Sequence, residues 1–466
     1  MTPRRADAAG ARCGADRYRG EVMESFAVST KRMRASVLVL ASLLLVVLLP
    51  AASASATRPA ASRYDLEARY DVDVHLDWDT RWVTVKTAID LRNSSGGPVD
   101  RLQLNTVAAK LGNLRNLRVK VDGALVAASV VGQTIKVPLG ADLAPGDSAD
   151  VWVAYKARLG TTAGGRAYFF AKLNGVAQLY RFIPWLSRRI PFGSGNHGEP
   201  FLTPTSPRVE VTVSSDRKLV WATSGRRISS ANNRMFTYVA KNVRDFNLAA
   251  SPHWTTTRGK SKDGQTVIIA HTKKANGRRF VRLAREELAR YEYKTGVQYP
   301  HQTYRIAETG GGLAMESPAL IWIPASRPAS DHPYLISHET AHQWWYSTVG
   351  NDQSTNAFAD EALAEYYARK AHLSIRSSRC KMDRLDREIR AYSDACYYEV
   401  IYIQGSRFLD NLRKDFGGGR FKAAIRAYTR DHRFGIGSDS RLLEALRAEM
   451  GNGVLKRYHN RFPSLY

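Results

Sequence analysis

The densest concentration of chemistry in the sequence is His338-Glu339-Thr340-Ala341-His342. On a helix, positions i and i+4 share a face, so the two imidazoles can chelate one metal ion. Glu339 lies between them, placed to take a proton from a bound water. Eighteen residues separate His342 from Glu361. If the chain turns back between Gly350 and Gln353 into a second helix, Glu361 becomes a third ligand. Two imidazoles and one carboxylate form the donor set of catalytic zinc, with a fourth position open. The same set suits zinc better than magnesium or calcium. One Zn2+ per chain is therefore the expected cofactor. Glu365, one turn beyond Glu361, either supports a ligand histidine from behind or stands exposed on its helix.

These residues need elements to hold them. Asp331-His332-Pro333 opens a helix with proline in its first turn, and the pattern carries that helix to about Val349, before Gly350. A second helix is predicted from about Asn356 to Leu373, with Trp344, Trp345, Phe358, Leu363 and Tyr366 packing the pair. A third is predicted over Asp383–Tyr392, and alternating helices and turns fill 400–466. Upstream, Arg279–Lys294 reads as a helix stopped by Gly296. Tyr304–Ala307 and Ala319–Ile323 read as strands around the loop Gly310-Gly311-Gly312. Before Pro252 the period is two: Tyr70, Val72, Val74, then Val83, Val85, then Val151, Val153, Tyr155. Many short strands separated by Gly and Asp turns predict a sandwich-like region. Residues 160–206, rich in Gly, Pro and aromatics, read as an irregular surface excursion. The fold class expected is α+β, with an all-β domain over 64–250 and a mainly α domain over 251–466.

At the N-terminus, Lys31-Arg32-Met33-Arg34 precedes the apolar run Ala35–Leu49, Pro50 and a small-residue stretch ending Ala54-Ser55-Ala56. That order reads as a signal peptide over 1–56, followed by a linker at 57–63, with Met23 or Met33 as alternative starts. A retained anchor is the competing reading, although the run is short for a span. Export places the protein outside the cytoplasmic membrane, secreted or in the cell envelope. There Cys380 and Cys396 can form a bridge or remain as two buried thiols. With 44% hydrophobic and 24% charged residues, the composition excludes general disorder. The net charge of +26 is scattered rather than gathered in a tract, and no RNA or DNA motif accompanies it. No nucleic-acid partner is expected; a basic surface suits acidic cell-envelope polymers. Oligomeric state is not legible.

The His-Glu-x-x-His pair, the distant Glu361 and the upstream run Gly310-Gly311-Gly312-Leu313-Ala314-Met315-Glu316-Ser317 together resemble the aminopeptidase N family of gluzincin metallopeptidases. Its Gly-Ala-Met-Glu-Asn motif keeps its core here as Ala314-Met315-Glu316, while Leu313 and Ser317 replace the flanking glycine and asparagine. The resemblance implies a β saddle followed by a thermolysin-like catalytic domain, and peptide substrates with a free N-terminus. Glu316 would hold the substrate α-amine, and the backbone of Ala314 and Met315 would line the scissile peptide. Tyr402, three residues before Gly405, would donate to the oxyanion; Tyr397 and Tyr398 compete for that role. Gln178 is the candidate for the residue that the family draws from its β domain. The family's large helical C-terminal domain has no counterpart in the helices read after Tyr402, which implies a cleft open on one side. A thermolysin-like endopeptidase and a non-catalytic binding scaffold are the alternatives.

Overall fold

In strand Leu66–Leu76 every second side chain is buried and its neighbours are exposed, so one face is apolar and the other wet. This strand is central to an eight-stranded sheet. It pairs antiparallel with Trp82–Asn93, Val74 opposite Val85, and parallel with Val209–Ser215. The computed structural model describes residues 66–162, 169–187 and 203–466. The leader and linker readings at 1–56 and 57–63 lie outside the described residues. Among the described residues, two four-stranded sheets complete the β-rich part. One runs Val220–Thr223, Leu248–Ser251, Val176–Leu179, Phe170–Leu173, and its strands are largely buried.

The region from 169 to 187 is not a surface excursion. Phe170, Tyr180, Phe182 and Trp185 are buried, and Phe170–Leu173 pairs with Val176–Leu179. Asn174 and Gly175 turn that hairpin with φ of 49° and 74°. An Asn-Gly step with both residues at positive φ is a hairpin signal in its own right, and the aromatics beside it are core residues.

A five-stranded sheet follows, in the order Thr255–Lys260, Thr266–His271, Thr303–Thr309, Leu320–Pro324, Met315–Ser317. Its two faces belong to two cores. Ala270, Ala307, Leu320 and Trp322 pack into the β-rich part; Ile269, Tyr304, Ile306 and Ile323 pack under the helices. The helix Lys274–Thr295 covers the second face and ends at Gly296, φ 70°. The fold is thus α+β, with a β-rich N-terminal part and a helical C-terminal part.

Two helical expectations are corrected. The His helix spans His332–Ala341 and stops well before Val349. Beyond it the Trp344 indole donates to the Val297 carbonyl (2.8 Å) and that of Trp345 to Thr429 Oγ1 (3.1 Å). Tyr346 adopts φ 136°. Neighbouring indoles drawn to separate partners hold the backbone out of the helix. Asp383–Tyr392 holds only a 3₁₀ turn at Ile389–Ala391. Leu385, Ile389 and Tyr392 are buried at helix-like spacing, but Arg384 pairs with Asp386 and the Leu385 N–H donates to the Arg461 carbonyl, which fixes an irregular path.

Cys380 and Cys396 are bonded, their Cα atoms 5.5 Å apart. The bridge ties the segment after the second ligand helix to the approach to Tyr402. Closing 16 residues is worth about 3 kcal/mol in the chain-entropy model. Thiol titration of the full chain, denatured without reductant, is expected to find one free thiol, Cys13, and three after reduction. Three before reduction would exclude the bridge.

Candidate active site

His338 and His342 face the same way from the end of their helix, as the i, i+4 spacing demands. Each faces a carboxylate at Nδ1. His338 Nδ1 lies 3.1 Å from Glu365 Oε2, and His342 Nδ1 lies 2.8 Å from Asp360 Oδ1. A carboxylate at Nδ1 keeps the proton there and leaves the Nε2 lone pair free. The two Nε2 atoms are 3.3 Å apart, and Glu361 Oε2 sits 3.4 Å from one and 3.5 Å from the other. That oxygen is buried and has no hydrogen-bond partner. Zinc bonds of about 2.0–2.1 Å at tetrahedral angles place ligand atoms about 3.3 Å apart, so the triangle has the size of one face of a zinc site.

Electrostatics point the same way. Glu316, Glu339, Asp360, Glu361 and Glu365 are all buried around the two imidazoles. Burial alone would depress His338, but the adjacent Glu361 and Glu365 carboxylates outweigh it and lift the ring up to about 10. The site therefore favours a cation. Glu365 also accepts from the Tyr334 hydroxyl (2.6 Å) and Arg369 Nε (2.5 Å). Burial would raise it, yet the His338 hydrogen bond and the Arg369 charge bring it down to about 2. Glu365 is therefore the ion behind His338 rather than an exposed helix carboxylate. Asp360 plays the same part for His342 and was missed in the sequence, although it adjoins Glu361. Phe358–Ala362 forms a π-helical turn, and it directs two successive carboxylates toward the histidines.

The remaining candidates converge here. Carboxylate oxygens of Glu339 and Glu316 lie within 4.8 Å of each other and of a His342 ring nitrogen. Burial pushes Glu316 up to about 8, with Glu339 nearby adding to the rise. Glu316 sits on the edge strand Met315–Ser317, with Ala314 and Met315 half-buried before it. Tyr402 stacks on His338 with ring centroids 5.8 Å apart and planes 12° apart, and its hydroxyl bonds Glu361. Tyr398 reaches Glu365 (3.3 Å) instead, and Tyr397 is buried with its ring edge-on to Tyr402. Tyr402 is thus the one of these three tyrosines that stacks on a ligand imidazole, that of His338. Gln178, from the β-rich part, accepts the N–H groups of Gly310 (3.1 Å) and Gly311 (3.2 Å). A Cβ on Gly310 would overlap the Leu173 carbonyl, so only glycine lets this loop approach. Gln343 clamps the far side, donating to Ser317 O and accepting from Ala319 N–H.

No protein-family model and no curated protein matches the sequence. Solved structures do. The chain is similar to a point mutant of an M1 zinc metallopeptidase from Deinococcus radiodurans, at TM-score 0.62 and 17% identity, covering 86% of this chain and 95% of that one. The same comparison with such a mutant bound to a Tyr-Ser-Ala substrate gives 0.63 and 18%, covering 86% and 96%. A two-domain M1 zinc metallopeptidase mutant bound to L-arginine gives 0.61 and 16%, covering 85% and 94%. The fold is that of the two-domain M1 structures, the architecture of the aminopeptidase N family.

Glu287, on the helix Lys274–Thr295, braces both ligand helices. It accepts from Ser337 (2.7 Å) beside His338, from His372 Nε2 (2.9 Å) at the end of the Leu363–His372 helix, and from Arg290 (3.0 Å). Burial would raise its pKa, but these donors hold it below the usual 4.5. The depressed value means that its contribution is complete above 4.5 and disappears as pH falls from there through the folded value. Glu287→Gln is expected to cost about 1–3 kcal/mol at pH 7 and progressively less below pH 4.5, measured by urea unfolding. An equal loss at pH 7 and pH 3 would show that the charge contributes nothing.

Proposed function

We propose that the chain is an exported zinc-dependent aminopeptidase. The observation that carries this reading is the triangle of His338 Nε2, His342 Nε2 and the partnerless Glu361 Oε2, with edges of 3.3–3.5 Å. When bound there, zinc would act as a Lewis acid toward water and the scissile carbonyl. Glu339 takes the proton from the attacking water and returns it to the leaving amine. Tyr402, beside the imidazoles, donates to the carbonyl oxygen as negative charge develops. Glu316 supports exopeptidase action. It is buried, with His342 as the nearest opposing charge and no side-chain hydrogen bond or ion pair among the described residues, and a substrate ammonium would favour its ionised form. The M1 relatives crystallised with Tyr-Ser-Ala or L-arginine support peptide substrates. Export rests on the basic, apolar and Ala54-Ser55-Ala56 sequence of the leader, and the Cys380–Cys396 bridge suits an oxidising compartment.

One zinc per chain is expected by metal analysis. Glu339→Gln should retain it and lose about 10²–10⁴ in kcat, whereas His342→Ala should lose metal and turnover together. Undiminished turnover in Glu339→Gln would remove the general base from the mechanism.

Substrate polarity is tested separately. Glu316→Ala should lower kcat/KM for free-amine peptides at least about tenfold with zinc retained, and N-acetylation should have the same effect on the unaltered protein. Internal cleavage of acetylated peptides at similar rates would make the enzyme an endopeptidase.

A further inference from the structure

Four arginines meet where the β-rich part touches the back of the five-stranded sheet. Arg226 and Arg227 come from the hairpin Arg226–Asn232/Met235–Ala240, Arg258 from the sheet's edge strand, and Arg305 from its buried central strand. They line a cavity of about 430 Å³ whose wall also includes Trp221 and Tyr238 and, among the described residues, contains no acidic residue. That volume suits a ligand the size of a dipeptide or smaller nucleotide.

Arg226, Arg227 and Arg258 are exposed, and such residues alone are commonly a solvated face. Arg305 is different. It is 4% exposed, and its Nη1 is committed to the Thr223 carbonyl (3.1 Å) and Thr303 Oγ1 (3.0 Å). Its other nitrogens are not among the buried atoms that lack a partner, so they are open to the cavity that Arg305 lines, and none of the four arginines forms an ion pair among the described residues. A buried cation without an anion is costly, and fixing the guanidinium by two hydrogen bonds leaves its remaining edge pre-aimed. Burial lowers Arg305 to about 10, against upward pulls from Tyr238 and Tyr299 and with smaller repulsion from Arg258 and Arg227. Independently, the Trp221 indole N–H is buried in the same wall with no hydrogen-bond partner. An unused donor beside an uncompensated guanidinium calls for an acceptor that carries negative charge.

From this geometry we infer that the cavity is a ligand site for a small organic anion bearing phosphate or carboxylate, held by the Arg305 edge, the Trp221 N–H and the three outer arginines. The site is separate from the His338 centre. Along Thr303–Thr309 the side chains alternate. Tyr304 faces the helices, its hydroxyl 2.7 Å from Thr340 on the His helix, and Arg305 faces the β-rich part. No residue is shared between the two sites.

The test uses phenyl phosphate and phthalate as probes, titrated calorimetrically into the full chain before and after metal chelation. One saturable site per chain is expected, unchanged by chelation and weakened by salt. Preference for the first probe would assign phosphate, and for the second carboxylate. Arg227→Ala combined with Arg258→Ala should weaken binding at least about tenfold with an unchanged melting temperature. Trp221→Phe, which keeps the ring and removes the donor, should also weaken it. If neither probe saturates, if chelation abolishes binding, or if the double arginine variant binds like the unaltered chain, the site does not exist as inferred.

Discussion

Five carboxylates buried around two imidazoles set the terms for the rest of the molecule. Charge of one sign cannot remain in a dry interior without compensation. Arg369 answers Glu365, and the Nδ1 protons of the histidines answer Glu365 and Asp360. Glu316, Glu339 and Glu361 remain, their carboxylates gathered around the Nε2 side of the imidazole pair; under the proposed function a metal and a substrate ammonium would supply the balancing charge. Much of the surrounding structure holds those groups still. The Glu287 brace, the π turn at Phe358–Ala362 and the stacked Tyr402 each limit how far a ligand side chain can move.

The five-stranded sheet makes this possible by serving two cores at once. On Thr303–Thr309 alternate residues face opposite ways, so a single strand supports the His helix through Tyr304 and packs Ala307 into the β-rich part. Arg244 reinforces the junction. Only 2% exposed, it donates to the carbonyls of Thr203, Ser347 and Gly435, and a Cβ on Gly350 would overlap it. Arg181 works beside it, paired with Asp245 and donating to the Tyr346 hydroxyl. The strained turn that ends the His helix is therefore held by residues of the β-rich part.

What was legible in the sequence was periodic or local. The i, i+4 histidines needed only helix geometry, and strict alternation in Leu66–Leu76 announced its buried face. The return of Glu361 to the histidines was legible because the intervening turn is short. What escaped was decided by tertiary partners. The end of the His helix at Ala341 depends on Val297 and Thr429, both distant in sequence. Asp360 was passed over because an α-helix separates adjacent side chains by about 100°, and only the π turn brings it and Glu361 to one site. The bonds from Gly310 and Gly311 to Gln178 span more than 130 residues; the resemblance alone pointed to Gln178, and no pattern in either segment announces its partners. Asn174-Gly175, in contrast, was a readable turn signal obscured by the aromatics around it.

The bonds from Gly310 and Gly311 to Gln178 bear on modularity. The loop that carries Glu316 grows from the helical part, yet its inner edge is fastened by a side chain of the β-rich part and passes so close to Leu173 that only glycine fits. Ala307, Leu320 and Trp322 likewise belong to the β-side core although they lie after the junction. A recombination event that exchanged the N-terminal part for another sandwich would have to supply, at once, a matching acceptor, a matching backbone approach and a matching apolar face. The two parts are therefore coupled at the site itself, and exchanging one of them alone would disturb the loop that carries Glu316.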